Sequence, residues 1–327
     1  MKPLLSDRDN FRRRMSCLPR FSSVTKAYLD SLEDTEEKIS ITDSRLTQSN
    51  RLSRFTQLKT LICSGSDTSE LPPLPDTIET LWCNGNSIRQ IKTLPLSLVT
   101  FDISYNSLSK LPPLPKQLEV LNCSFNEILD IPPLPPTIER LDCSFNRLTH
   151  LPAHSTPQLN YLECSDNYIE TLPPLSPVLI HLYCGDNHLK KLPLLPDSIL
   201  RIDCSCNRIT HLPTLPKNLN QLLCYNNNLY HLPLLPETLQ TIHFENNPMS
   251  EYFHAFNIDI LRKQVSIVYK FRSTYYHLKF KQRFRNLLWT KREERARIFY
   301  SPENLKKMVE DIDDDDISLL FNAIEKW

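Results

Sequence analysis

The chain has 327 residues, with 38 basic against 38 acidic side chains and about 40% hydrophobic positions. That is enough apolar material for one long solenoid or two ordinary domains, and it excludes wholesale disorder. Only three glycines are present, Gly65, Gly85 and Gly185, which rules out a glycine-rich nucleotide cradle, whereas the 26 prolines exceed ordinary usage.

Residues 1–45 follow no repeat. They carry a basic run at Arg12, Arg13 and Arg14 and a stretch from Ser22 to Ile39 predicted to be helical, with Val24, Ala27, Tyr28 and Leu32 toward one side. The expected role of this helical segment is a cap or tail on the open end of a repeat region that begins near residue 46. From Asn50 to Ser66 a pattern enters in degenerate form: Leu52, Phe55, Leu58, Leu61 and Cys63 keep an apolar frame, and Ser66 stands where later copies have asparagine.

The pattern is then clear from 71 to 247. Its first full copy is Leu71-Pro72-Pro73-Leu74-Pro75, followed by Ile78, Leu81, Cys83, Asn86 and Ile88. The asparagine returns at 86, 106, 126, 146, 167, 187, 207, 227 and 247, a spacing of 20 with one step of 21. So short and regular a period specifies a solenoid over residues 46–250. Leu81 and Cys83 alternate with polar or variable neighbours, as in a short strand with one face buried. Stacked copies would form a parallel sheet, with Cys83, Cys123, Cys143, Cys164, Cys184, Cys204 and Cys224 in one inward column as small buried hydrophobes. The proline-rich return is too short and too rich in proline for a helix, so extended or polyproline II chain is predicted there. A thin outer wall opposite a sheet gives an arc with the strands on its concave side. The repeated asparagine is predicted to be structural, closing main-chain groups that the bend leaves unpaired. The step of 21 falls at Leu151–Leu159, where the return wall can absorb one residue without shifting the strands or could alter the curvature at the middle of the arc.

Function in such an arc falls to residues the fold does not need. The outward strand positions carry Trp82, Asp102, Asp142, Glu163, Tyr183 and Asp203, with Tyr225 directly after the inward Cys224, and Arg140, His181 and Arg201 stand upstream of them. Serines 104, 124, 144, 165 and 205 are expected to share the exposed face. The result is a polar, mildly acidic track suited to a protein partner, in which aromatic rings give contact area and carboxylates give selectivity. No CxxC pair marks a zinc site, no nucleophile elbow or phosphate loop occurs, and the histidines are scattered. Neither catalysis nor a cofactor, metal or small-molecule substrate is expected.

After Asn247 the period becomes helical, with Ile260, Leu261, Val265, Val268 and Tyr269 predicted to share a face and a second helical stretch over Tyr275–Phe299. Within this C-terminal region, 251–327, residues 262–297 hold 12 basic side chains against 2 acidic ones. Lys279, Lys281, Arg283, Arg285 and Arg292, interleaved with aromatics, could contact anionic membrane or nucleic acid; packing against the solenoid end is the plainer expectation. An acidic turn at Asp313–Asp316 and a short amphipathic stretch close the chain.

The frame Leu-Pro-x-Leu-Pro-x-x-Leu-x-x-Leu-x-Cys-x-x-Asn-x-Leu resembles the shortest class of leucine-rich repeat, typical of injected bacterial effectors and found in repeat proteins of amoeba-infecting giant viruses. The resemblance covers roughly residues 50–250 and implies a curved solenoid that binds other proteins. Some of those effectors carry a C-terminal ubiquitin ligase with a catalytic cysteine; here the last cysteine is Cys224, inside the repeats. The expectation is a monomeric, non-enzymatic binding scaffold. Free thiols and the lack of an apolar leader point to an intracellular location, host cytoplasm if the chain is viral or effector-like.

Overall fold

The computed structural model describes residues 22–41, 46, 52–152, 156–251 and 257–285, with the backbone alone at 22–26, 251 and 273–285. Helix α1 (Ser22–Ser31) leads into eleven three-residue strands. These are β1 (Lys38–Ser40), β2 (Thr60–Ile62), β3 (Thr80–Trp82), β4 (Thr100–Asp102), β5 (Val120–Asn122), β6 (Arg140–Asp142), β7 (Tyr161–Glu163), β8 (His181–Tyr183), β9 (Arg201–Asp203), β10 (Gln221–Leu223) and β11 (Thr241–His243). Helix α2 (Ile258–Arg285) closes the described chain. The strands form one parallel sheet in sequence order, the topology of an arc-shaped solenoid with extended return segments opposite the sheet.

The repeat explains each turn of chain. The middle residue of each strand from β1 to β10 points inward and is buried, and the cysteine two positions later joins the same core. Ile41 and Ile103 take that place in two coils and are buried as well, while Phe244 in the last coil is only partly covered. Proline ends the return segment, and a tight turn closes on it: the N–H of Ile78 donates to the Pro75 carbonyl at 3.3 Å, as Leu118 does to Pro115. In several coils a hydroxyl ties the turn to the coil before it, with Thr77 donating to the Leu58 carbonyl at 2.8 Å and Thr137 to that of Leu118 at 2.8 Å.

Asparagine does more than the pattern predicts. Asn146 Nδ2 donates to the carbonyls of Cys143 and Ser144 in its own coil and of Cys123 in the preceding one, at 3.0–3.1 Å, while Oδ1 accepts from the Ile128 N–H at 3.0 Å. One buried side chain therefore both bends its coil and fastens it to its neighbour. Where Ser66 replaces asparagine, two hydroxyls share the work. Ser66 Oγ donates to the Ile41 carbonyl at 2.7 Å, and Thr68 Oγ1 accepts from the Leu46 N–H at 3.2 Å.

Two sequence expectations need correction at the ends. The helix predicted over Ser22–Ile39 stops at Ser31, and Lys38–Ser40 is the first strand of the sheet, paired with β2 through Ile39 and Leu61. Ile39, Ile41 and Leu46 are buried in core register, so a coil precedes the first degenerate repeat. At the other end, α2 runs unbroken from Ile258 to Arg285. Leu261 and Val265 are buried, and Ile258 and Val268 pack on the core, whereas Ile260 and Tyr269 face outward. The buried set has spacings of three and four residues, so those two lie off the face. Arg262 fixes this helix to the last coil, its Nη2 donating to the carbonyls of Pro236, Glu237 and Leu239 at 3.1–3.3 Å. The 21-residue step leaves the sheet undisturbed: Leu141 pairs with Leu162 as Leu121 does with Leu141.

Candidate functional site

The outward residues of each strand stand in two columns separated by the buried one. The first column runs Arg140, Tyr161, His181, Arg201 across β6 to β9, and the second runs Asp142, Glu163, Tyr183, Asp203. Adjacent members sit one strand spacing apart, about 4.8 Å. Trp82 and Asp102 continue the second column on β3 and β4, paired directly with each other and reaching Asp142 through Asn122. Trp82 is 43% exposed. Tyr225 lies apart, in the register of the serines just past the strands, and is half-buried.

The serines are not part of the exposed face. Ser104, Ser124, Ser144 and Ser205 are buried, and each supports the side chain two residues before it. Ser104 donates through N and Oγ to Asp102 Oδ1 at 2.9 and 2.7 Å, and Ser144 does the same to Asp142 at 3.1 and 2.7 Å. Ser205 repeats this on Asp203 at 3.0 and 2.6 Å, and the Ser165 N–H donates to Glu163 Oε1 at 3.1 Å. One oxygen of each acid is thereby fixed, which orients the other. On β8, where the column has Tyr183 instead of an acid, Gly185 stands in place of the serine, and a Cβ there would meet Ser205 Oγ at 3.2 Å.

The centre of the face is aromatic. The Arg140 guanidinium lies 4.3 Å from the Tyr161 ring centroid, Tyr161 meets Tyr183 at 5.7 Å and His181 at 5.9 Å, and His181 lies parallel to Tyr183 at 6.1 Å. Tyr161 is a site residue that the sequence reading passed over, although it occupies the register of Arg140 and Arg201. Partial burial pushes Glu163 up to about 7, with the charges of Asp142 and Asp203 adding to it against the hydrogen bonds of Ser165. Burial, with a contribution from Asp102, also raises Asp142, against the opposing pull of Ser144 and Arg140. His181 is held below its ordinary value by burial and by Arg201 and Arg140, so it is a neutral ring at pH 7.

Beside the sheet, a second column passes through the residue before each asparagine. From Tyr105 to Asn246 all have left-handed backbone, φ 49–55°, as do Gly65 and Gly85 in the first coils. Tyr105, Phe125 and Phe145 stack there at 4.1 Å between centroids, and Asp166, Asp186, Cys206, Asn226 and Asn246 extend the column. The two glycines in that register were the signal available in the sequence. On the return side, His211 and His231 share one column with ring centroids 4.9 Å apart, so the histidines are less scattered than expected.

Among the described residues no group of three or more His, Cys, Asp or Glu converges to hold a metal ion, and no described helix is long and apolar enough to cross a membrane. Lys279, Lys281, Arg283 and Arg285 lie on the last turns of α2, but their side chains fall outside the described residues, as does all of Arg292.

No family model matches the chain, and neither does any curated protein. Solved structures do. YopM from Yersinia enterocolitica WA-314 is 33% identical over 58% of this chain and 51% of its own, with a TM-score of 0.39. The functional domain of InlJ from Listeria monocytogenes, which includes a cysteine ladder, is 24% identical over 65% of this chain and 54% of its own, with a TM-score of 0.52. A chain from the octameric complex of Latrophilin 3, Unc5D and the FLRT2 leucine-rich repeat region is 20% identical over 66% of this chain and 77% of its own, with a TM-score of 0.56. This chain thus spans about half the length of YopM and of the InlJ domain. The two likenesses with TM-scores above 0.5, joined to the sheet topology, identify the fold as a leucine-rich-repeat-like solenoid.

Proposed function

We propose that this protein is a non-enzymatic scaffold that binds another protein on its concave strand face. The supporting observation is the pair of outward columns on β6 to β9. Arg140, Tyr161, His181 and Arg201 stand beside Asp142, Glu163, Tyr183 and Asp203, held in register by the sheet and contributing nothing to the core. Fixed aromatic area flanked by oriented charge is what a selective protein interface requires. The 20-residue spacing favours the short class of leucine-rich repeat seen in bacterial effectors and giant-virus repeat proteins. All described cysteines are free, which favours a reducing, intracellular setting.

The test is affinity capture from the native cell with Asp142→Arg plus Glu163→Arg. Loss of the captured protein, with the circular dichroism spectrum unchanged, supports the strand face as the site. Retained capture, or equal loss from Leu194→Arg on the opposite wall, overturns it.

A further inference from the structure

Within the strand face, one point is built to receive a cation. Glu163, Tyr183 and Asp203 are consecutive in a single column, so a phenol ring is set between two carboxylates. Ser165 fixes one oxygen of Glu163 and Ser205 one oxygen of Asp203. Neither acid forms an ion pair with a lysine or arginine among the described residues. Gly185 carries no side chain, and a Cβ there would crowd Ser205 Oγ at 3.2 Å and Asp203 Oδ1 at 3.4 Å; the Tyr161 and His181 rings flank Tyr183 at 5.7 and 6.1 Å.

The molecule itself shows how a guanidinium sits on this surface. The Arg140 guanidinium carbon lies over the Tyr161 ring at 4.3 Å from its centroid, with Asp142 two residues on in the neighbouring column. The same pairing of a ring and a carboxylate is repeated at Tyr183 with Asp203 and Glu163, but there no arginine among the described residues lies over the ring.

We propose that Glu163, Tyr183 and Asp203 form the docking point for an arginine side chain carried by an extended basic segment of the partner polypeptide. This rests on the reading of the strand face as a protein-binding surface and specifies what that surface recognises. A guanidinium is planar, stacks on a phenol ring and gives forked hydrogen bonds to carboxylates, whereas the ammonium of lysine is a compact, strongly hydrated point charge. Burial first, and then the charges of Asp142 and Asp203, raise the Glu163 carboxyl, as fits a partly buried acid beside like charges with no counter-charge paired to it. The groups facing Glu163 are Asp142 and Arg140 on β6, Tyr161 on its own strand, Tyr183 and His181 on β8, Asp203 on β9, and Ser165. An arriving guanidinium favours the ionised form, so binding strengthens from about pH 6 to about pH 8 as Glu163 loses its proton.

The probe is a fluorescently labelled synthetic peptide alternating serine and arginine, titrated against the purified full-length chain. The same peptide is tested with lysine and with citrulline, the uncharged isostere, in place of arginine. The arginine peptide is expected to bind at least about tenfold more tightly than the lysine peptide and to lose binding as citrulline. Glu163→Gln and Asp203→Asn should each weaken it by about tenfold, and Glu163→Gln should also remove the rise with pH. Tyr183→Leu should abolish the preference for arginine over lysine, and Leu194→Ser on the opposite wall should change nothing. Equal binding of the arginine and citrulline peptides, or affinities within about twofold of wild type in correctly folded Glu163→Gln and Tyr183→Leu proteins, overturns the proposal. If native capture is lost in Asp142→Arg plus Glu163→Arg but the arginine peptide does not bind, the docking point is wrong and the binding face stands. If capture survives and the peptide does not bind, both fall.

Discussion

Asp166 and Asp186 occupy equivalent left-handed positions on neighbouring coils, at φ 55° and 49°, with their carboxylates in one column. Partial burial and then the charge of Asp186 push Asp166 up to about 6. In the unfolded chain an aspartate titrates near about 4. The folded state therefore binds more protons between those values. The stabilising contribution is complete below about pH 4 and is lost as pH rises through about 6. Asp166→Asn removes the repulsion and keeps a residue tolerant of left-handed backbone. Urea denaturation should find the variant more stable than wild type at pH 7, with the gap closing toward pH 4. A gap that does not change with pH would show that the two charges do not couple.

His231 acts with the opposite sign. Its imidazole is lowered to about 4, first by burial, then by Arg272 of α2, with His211 adding a smaller repulsion against a backbone hydrogen bond. An unfolded histidine titrates near about 6.5, so here the unfolded chain binds more protons. Stability from this group rises between about pH 4 and 6.5. His231→Gln, which stays uncharged, should lose less stability on acidification than wild type. Identical acid limbs in the two denaturation profiles would place no folding-linked proton on His231.

The sequence was legible where one residue type recurs in one register, because each coil solves the same problem of burial and bending. That is why the strand centres, the thiol column and the asparagines could be read with their spacing. The first coil was missed because Ile39, Ile41 and Leu46 keep the core while Ile41 replaces the cysteine and the asparagine is absent, so only the apolar frame remained. The candidate site was half visible. Alternation marked Asp142, Glu163, Tyr183 and Asp203 as outward, but it cannot distinguish a serine in solvent from one buried under an aspartate, as Ser144 is under Asp142. The stacked Tyr105, Phe125 and Phe145 were hidden because aromatic residues seldom occupy left-handed backbone, and only contact between coils offsets that strain.

Asn146 offers a direct test of how coils are joined. Asn146→Ala leaves the buried Ile128 N–H without its acceptor and removes one of two donors from each of the Cys123, Cys143 and Ser144 carbonyls, which keep Asn126 Nδ2, Asn167 Nδ2 and the Phe125 N–H respectively. The expected loss is on the order of 3 kcal/mol. Because each coil touches only its neighbours, the damage should be local. Hydrogen exchange should accelerate at Ile128 and in the coils of Cys123 and Cys143 before it changes at Leu219 or Leu239. A uniform acceleration along the chain would show that the solenoid unfolds as a single unit and not coil by coil.

The thiols separate the core from its edge. Cys83, Cys123, Cys143, Cys164, Cys184, Cys204 and Cys224 are fully buried, and burial pushes each thiol up, with neighbouring thiols or carboxylates adding to the effect. Alkylation needs both access and thiolate, so these sulfurs have neither. Cys206 differs because its left-handed backbone turns it out of the strand register; it is half-exposed, and its sulfur accepts from Asn226 Nδ2 at 3.3 Å. In a Cys17→Ser background, iodoacetamide at pH 8 and then peptide mass mapping should label Cys206 first and the column of seven only when denaturant unfolds the chain. Adding Cys206→Ser should leave the native protein nearly unreactive. Adducts at Cys123, Cys143, Cys164 or Cys184 in the folded protein would place the sulfur column in water, and an arc whose inner wall is open to water has no core to hold its strands in register.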